Sequence, residues 1–259
     1  MARRAPQHDV DAGGDPEVLA AKRALRQEVW QALTDAGVAR FPGAHGRIPN
    51  FVGAEAAAER LRGTDAWRRA GTVKANPDSP QWPVRQRALE DGMVVFMAMP
   101  RLAEPEPFFR LDPAELGGVT PRQASSIKGA GRYGRPVPVS ELEPVDLVVA
   151  GCVAVDPSGA RLGKGGGFSD LEFAVAAAAG LIGPDTLVVT TVHPLQVVEA
   201  GRIPTTAHDV ALDLIVTPDE VIVCDRGRRR PTGILWEELT EEKIAAIPIL
   251  QELAARERR

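Results

Sequence analysis

Apolar positions along the chain follow two rhythms. From Asp15 the spacing is helical: Leu19, Leu25, Val29, Trp30 and Leu33 recur on one face. Asp15 suits an N-cap with Pro16 at the first helical position and Glu17 in the first turn, and the helix should stop near Gly37. Glu55 to Arg62 and Val84 to Leu89 read as further helices. Between them lie short apolar runs of the kind that form strands buried on both faces: the end of one at Val73, then Met93 to Met99, Val145 to Val155, Leu187 to Val192 and Val210 to Val216. Gln196 to Val198 starts one more short strand, and Val221 to Val223 reads as an edge strand. Strands alternating with helices predict an α/β fold, a three-layer α/β/α sandwich with a mainly parallel sheet.

The segments between these elements divide the rest. Residues 1–14 carry charge, Gly and Pro without periodicity, which predicts a disordered leader before an α/β domain over 15–224. Phe41 to Gly53 should be an ordered loop, because Ile48, Phe51 and Val52 need burial. Gly117 to Val139 holds many Gly, Pro, Arg and Ser and reads as a long loop or lid, with Lys128, Arg132 and Arg135 either over an anionic ligand or solvated. Residues 225–259 read as a basic connector followed by a C-terminal helix.

Composition narrows the function classes. The chain has 259 residues, 44% hydrophobic and 25% charged, enough for one substantial core. A net charge of -4 and a pI near 5.7 supply no global basic field for nucleic acid or an anionic membrane. The run Arg226-Gly227-Arg228-Arg229-Arg230 lacks interleaved aromatics and reads as an exposed connector, which argues against a nucleic-acid partner. No apolar stretch is long enough to span a bilayer and residues 1–14 lack the apolar centre of a signal peptide, so the expected location is cytoplasmic. Cys152 and Cys224 sit in apolar runs and read as reduced core thiols. These features leave the oligomeric state open.

The candidate chemistry concentrates in Arg161-Leu162-Gly163-Lys164-Gly165-Gly166-Gly167-Phe168-Ser169-Asp170. The order is apolar strand, glycine loop, Ala-rich helix. Glycines let backbone N–H groups approach an anion, the helix start adds partial positive charge, and Arg161 and Lys164 add full charges. Asp170 could reach a Mg²⁺ that accompanies a phosphate. The loop is neither a Walker A sequence nor G-x-G-x-x-G, so a tight structural turn is the other reading of the same glycines. Further candidates sit where strands end, the edge at which open α/β sheets bind ligands: Lys74, Asn76 and Gln81, then Arg101, then His193. Asn76 and Asp78 read equally well as an Asx turn, Arg101 as half of an ion pair, and His193 as a structural residue.

Arg161-Leu162-Gly163-x-Gly165-Gly166-Gly167-aromatic-x-Asp170 resembles the nucleotide loop of the 5-formyltetrahydrofolate cyclo-ligase family. Asp146-Leu147-Val148-Val149 before it and His208 to Thr217 after it match in order. Gly46 to Phe51, Lys74 to Gln81, Met99 to Leu102 and Thr191 to His193 are similar to one branch, the methenyltetrahydrofolate synthase domain-containing proteins. The resemblance runs from about Ala21 to Cys224 and is more specific for fold and nucleotide than for substrate.

The resemblance implies ATP and Mg²⁺ as cofactors and a reduced folate as the small-molecule substrate. ATP phosphorylates the formyl oxygen of 5-formyltetrahydrofolate, and N10 then closes the ring of 5,10-methenyltetrahydrofolate. It implies phosphate contacts for Lys22 and Arg26, one helical turn apart, and for Arg161, Gly163, Lys164, Gly165, Gly166, Gly167 and Phe168, with Lys164 and Arg161 catalytic. Asp170 and Asp209 become the metal residues, and Glu55, Lys74, Arg101 and His193 the substrate-binding ones. A helix-start role for Glu55 remains an alternative. This chain departs from the family where Phe168-Ser169 stands for Tyr-Tyr, where the threonine after Glu55 is missing, and where Ala207 replaces a proline. Two other functions therefore stay open: an ATP-dependent ligase or cyclodehydratase on a different amide or formyl substrate, and a non-catalytic nucleotide-binding protein acting through a partner.

Overall fold

The computed structural model describes residues 15–99, 102–225 and 230–257. One sheet of eight strands organises them, in the spatial order β10-β9-β8-β5-β1-β2-β3-β4. The strands are β1 (Thr72–Ala75), β2 (Val94–Ala98), β3 (Phe108–Leu111), β4 (Arg135–Val137), β5 (Leu147–Val149), β8 (Leu187–Thr191), β9 (Leu214–Val216) and β10 (Val221–Val223). The five central strands β9, β8, β5, β1 and β2 run parallel; β10, β3 and β4 pair antiparallel at the two margins. A separate two-stranded hairpin, β6 (Ala154–Val155) and β7 (Arg161–Leu162), stands off the main sheet.

Period-two alternation assigns each strand residue to a layer. Val73, Ala75, Val95, Met97, Leu147, Val149, Val189 and Val216 face helices α2 (Ala54–Arg62), α3 (Asp65–Arg69) and α4 (Trp82–Glu90), where Leu61, Trp67, Val84 and Leu89 complete one core. Their neighbours Phe96, Ala98, Val148, Val188 and Ile215 point the other way, toward α7 (Phe168–Ala178). The long first helix, α1 (Pro16–Asp35), is capped by Asp15 as expected and packs Leu25, Val29, Trp30 and Leu33 against the β6–β7 hairpin.

Four sequence expectations need correction. Gly117 to Val139 is not a loop: Thr120 builds a capping box for α5 (Pro121–Ala124), Ser126 caps α6 (Ile127–Tyr133), and β4 follows. Its Gly129 marks close packing rather than freedom, since a Cβ there would lie 1.8 Å from the Gln123 carbonyl oxygen. The apolar run Val145 to Val155 is split at Gly151, so only three of its residues join the sheet before the chain turns into the hairpin. Gln196 to Val198 is not a strand: Gln196 ends the 3-10 turn Pro194–Gln196, its side-chain amide donating to the carbonyls of Cys152 and Val153, and Val197 makes a single bridge to Val155. After β10 the chain forms two short helices, α8 (Glu241–Ala246) and α9 (Pro248–Glu257), whose Ile247, Ile249 and Leu250 are buried with Phe96, Phe108 and Val175. The leader at 1–14 and the basic residues 226–229 lie outside the described residues.

Candidate active site

Chain order predicts where a ligand belongs. From β1 the chain steps to β2 on one side, then returns to place β5, and later β8 and β9, on the other. The crevice outside the carboxyl ends of β1 and β5 is therefore the point where winding reverses, the usual ligand position in such sheets. Residues 76–81 leave β1 there, and residues 150–153 leave β5 into the hairpin that delivers the glycine loop.

Around that loop the structure gathers charge. Gly163 to Gly167 links β7 to α7, with Gly165 and Gly167 at φ +107 and +63, conformations that side-chain-bearing residues rarely adopt. Lys22 and Arg26 project from α1 on one face. Arg26 Nε donates to the Gly163 carbonyl (2.8 Å), and Lys22 Nζ lies 2.7 Å from Asp209 Oδ2. The buried Arg161 guanidinium pairs with Asp170 Oδ1, which also accepts from the Val210 N–H (2.9 Å). Burial pushes the Asp209 carboxyl upward, but Lys22 and the Thr206 N–H more than reverse it and hold it below the usual carboxylate range. Arg161 Nε is buried without a hydrogen-bond partner. Lys164 is the exposed member, its side chain 46% accessible and Nζ 3.4 Å from Asp78 Oδ1.

Deeper in the crevice lies a second group. Lys74 on β1 and Glu172 on α7 form an ion pair with side chains only 2% and 5% exposed. Asn76 Nδ2 donates to the same Glu172 oxygen (2.8 Å), while Asn76 Oδ1 accepts from the Gly151 N–H and the Ser169 hydroxyl, both at 3.1 Å. Burial raises the Glu172 pKa, and Lys74 offsets this only in part. Beside them Gln81 is fully buried, and neither its amide nitrogen nor its oxygen has a partner. A Cβ on Gly151 would lie 3.2 Å from Gln81 Oε1 and 3.0 Å from Asp78 Oδ2, so any larger residue there would press these side chains aside. Arg85 holds the 76–78 turn from below, donating to the carbonyls of Asn76 (2.5 Å) and Asp78 (3.1 Å); burial lowers its pKa to about 10.

A sequence profile of the 5-formyltetrahydrofolate cyclo-ligase family matches residues 18–218. The chain belongs to that family. It is 37% identical over 241 residues to a methenyltetrahydrofolate synthase domain-containing protein of Mus musculus, covering 92% of this chain and 64% of that protein. The Bos taurus protein of the same name is 36% identical over 247 residues, covering 94% and 64%. The chain thus spans somewhat under two thirds of those relatives. A 5-formyltetrahydrofolate cyclo-ligase of Mycolicibacterium smegmatis shares 34% identity over 90 residues, 35% of this chain and 42% of that protein. The solved Aquifex aeolicus 5,10-methenyltetrahydrofolate synthetase superposes with a TM-score of 0.51 at 22% identity, over 80% of this chain and 95% of that one, a likeness of fold.

Within this cyclo-ligase fold the structure brings together Lys22, Arg26, Arg161, Gly163, Asp170 and Asp209, and connects Lys74 to them through Asn76 and Ser169. Phe168 opens α7 with its ring half-buried against the C-terminal segment. Glu55, expected toward the substrate, is exposed in the first turn of α2 and pairs with Arg40 at 3.1 Å. His193 caps a 3-10 turn, its Nδ1 accepting from the Leu195 N–H (3.2 Å), with its ring edge-on to Phe51. Arg101 lies outside the described residues. The reading of the chain missed Glu172, although a lone carboxylate in the apolar run Leu171 to Ala179 asks for a buried cation. No helix among the described residues is long and apolar enough to cross a membrane.

Proposed function

We propose that the protein is an ATP-dependent cyclo-ligase that converts 5-formyltetrahydrofolate to 5,10-methenyltetrahydrofolate. The observation that carries this reading is the convergence of Lys22, Arg26 and Arg161 on a glycine loop that opens α7 at the sheet's switch point, with Lys164 at its exposed rim. Such an array neutralises a polyphosphate and orients it, and phosphoryl transfer asks little else of a protein. The terminal phosphoryl group passes to the formyl oxygen. N10 then bonds to the formyl carbon and loses its proton, and the oxygen leaves with inorganic phosphate.

Asp170 and Asp209 fit Mg²⁺. Asp170 is engaged through Oδ1 and Asp209 through Oδ2, and Mg²⁺ commonly takes one or two carboxylates with waters and substrate phosphates. Among the described residues no three His, Cys, Asp or Glu side chains form a metal cluster, so the substrate's phosphates would complete the shell. Bound there, Mg²⁺ would neutralise charge on the transferring phosphoryl oxygens. Gln81, a buried amide without a partner beside Gly151, is better suited than Glu55 to read the substrate's polar edge. Both cysteines are free and buried, which suits a cytoplasmic site of action.

One observation favours a second reading. Ser169 stands where the family carries a tyrosine, and its hydroxyl is tied to Asn76. Another formyl or amide compound is the substrate under that reading. A substrate-dependent ADP-release assay separates the two. Wild type should turn over with 5-formyltetrahydrofolate, and Lys164→Ala should lower the rate at least tenfold, about 1.4 kcal/mol, with the fold intact. Turnover only with another formyl or amide compound supports the second reading, and an unchanged Lys164→Ala rate removes that lysine from the site.

A further inference from the structure

On the α2 face of the sheet, at its carboxyl edge, two buried polar side chains stand without partners. Gln81 is 0% exposed and Thr191 1%, and neither the two Gln81 amide atoms nor Thr191 Oγ1 makes a hydrogen bond among the described residues. Gly151 relates their positions. Ala75, Val149 and Val189 lie level across β1, β5 and β8 and share the core with α2. The Ala150 N–H bonds the Val189 carbonyl, so the register continues, and two residues further on Gly151 and Thr191 lie level on that same face. Gln81 comes in from the other side: its Oε1 lies 3.2 Å from where a Cβ on Gly151 would stand, with Asp78 Oδ2 at 3.0 Å. The result is a row, Gln81–Gly151–Thr191, across the strand ends at the switch point. Asp78 connects the row to solvent, because its Oδ1 meets the exposed Lys164 Nζ at 3.4 Å, a pair weak enough for a ligand to part.

Buried polar groups are almost always hydrogen-bonded, and two exceptions in one row at a ligand crevice ask for an occupant. Side-chain chemistry selects it. A primary amide carries donor and acceptor side by side, and a hydroxyl serves as either. A carboxylate, which only accepts, would leave the Gln81 oxygen unmet; an ammonium or guanidinium, which only donates, would leave the Gln81 amino group unmet. A neutral edge with an N–H next to a C=O satisfies both, and the ring lactam of a reduced folate is such an edge. We infer that Gln81 and Thr191 together read the ring lactam of the substrate, with Gly151 giving the amide its access to the strand ends. The inference rests on the folate reading above. It adds Thr191 to the site and names the group that the pair recognises.

Calorimetric titration of the full chain with 5-formyltetrahydrofolate, without ATP so that nothing turns over, tests it, with Mg·ATP titrated separately as the reference. Gln81→Met and Thr191→Val keep the side-chain size and remove the polar atoms; each should weaken 5-formyltetrahydrofolate at least tenfold and leave Mg·ATP within about twofold of wild type. Thr191→Ser keeps the hydroxyl and should bind 5-formyltetrahydrofolate within about threefold of wild type. The unliganded Tm of both apolar variants should hold or rise, because each loses a buried group that has no partner. If both apolar variants bind 5-formyltetrahydrofolate within about twofold of wild type, the inference falls and the folate reading stands. A Tm lower by more than about 3 °C in both makes the two groups supports of the unliganded fold and also overturns it. Wild type that does not bind 5-formyltetrahydrofolate removes both readings.

Discussion

Two ion-paired groups lie within one helical turn of each other on α7 and differ in what surrounds them. Lys74–Glu172 is sealed, both side chains 5% exposed or less, and Asn76 takes a place on the carboxylate. The pairs under the glycine loop are less closed, and only on the anion side: Arg161 and Lys22 are 2% and 6% exposed, whereas the Asp170 and Asp209 side chains keep 14% and 12% of their surface. A buried pair with no route to water cannot exchange partners cheaply, whereas a pair at a crevice wall can give up its anion to an incoming one. The first group is therefore a strut that fixes α7 against β1. Under the proposed function, the second is a bed of cations whose resident carboxylates hold the geometry until phosphate arrives.

The comparison breaks most directly at the strut. Glu172→Ala leaves Lys74 charged and uncompensated in the core and should cost about 3–5 kcal/mol in urea-induced unfolding. Replacing both partners, Lys74→Met with Glu172→Leu, should recover most of that loss, because a well-packed apolar pair avoids the desolvation cost. A Glu172→Ala loss below about 1 kcal/mol would mean that the pair behaves as if solvated and that the two groups do not differ.

At the crevice wall the effect on stability should be smaller and the effect on ligand larger. Lys22→Met removes one charged hydrogen bond to Asp209, worth about 1.5–3 kcal/mol, and leaves Asp209 with the Thr206 N–H and hydroxyl. Mg·ATP at one hundred times its Kd should stabilise wild type by about 2.7 kcal/mol. At the same concentration Lys22→Met should show a much smaller gain, and the apolar double variant of the strut the full one. Equal protection of Lys22→Met and wild type by Mg·ATP would take Lys22 out of the phosphate bed.

How much of this was legible in the sequence depended on range. Runs such as Met93 to Met99 and Leu187 to Val192 gave their strands because a strand buried on both faces must be apolar throughout. The glycine loop, with Lys22 and Arg26 one helical turn apart, pointed to neighbouring cations because short-range spacing and family resemblance both survive in sequence. Long-range pairing does not. Nothing local joins Lys74 to Glu172, 98 residues away, or Lys243 to Phe168. Phe108 to Leu111 and Arg135 to Val137 are short margin strands whose pairing partners decide their conformation. The glycines of Gly117 to Val139 suggested a loop, yet at Gly129 the missing side chain permits contact rather than motion.

The smallest expected effect falls on the residue that joins the two groups. Ser169 sits in the first turn of α7, between the glycine loop and Glu172, and its hydroxyl donates to Asn76 Oδ1 at 3.1 Å. Asn76 keeps its bonds to the Gly151 N–H and to Glu172 without it, so Ser169→Ala deletes one hydrogen bond and strands no charge. The unfolding free energy should fall by about 0.5–1.5 kcal/mol. If the strut alone fixes α7, Mg·ATP affinity should stay within about twofold of wild type, since the loop keeps its bond to Arg26 and its pairing through Arg161. A loss of affinity of tenfold or more at so small a cost in stability, about 1.4 kcal/mol of binding, would instead mean that Ser169 sets the loop's register. The sealed pair and the phosphate bed would then act as one unit, and a serine in place of an aromatic ring would be part of how this chain holds its ligand.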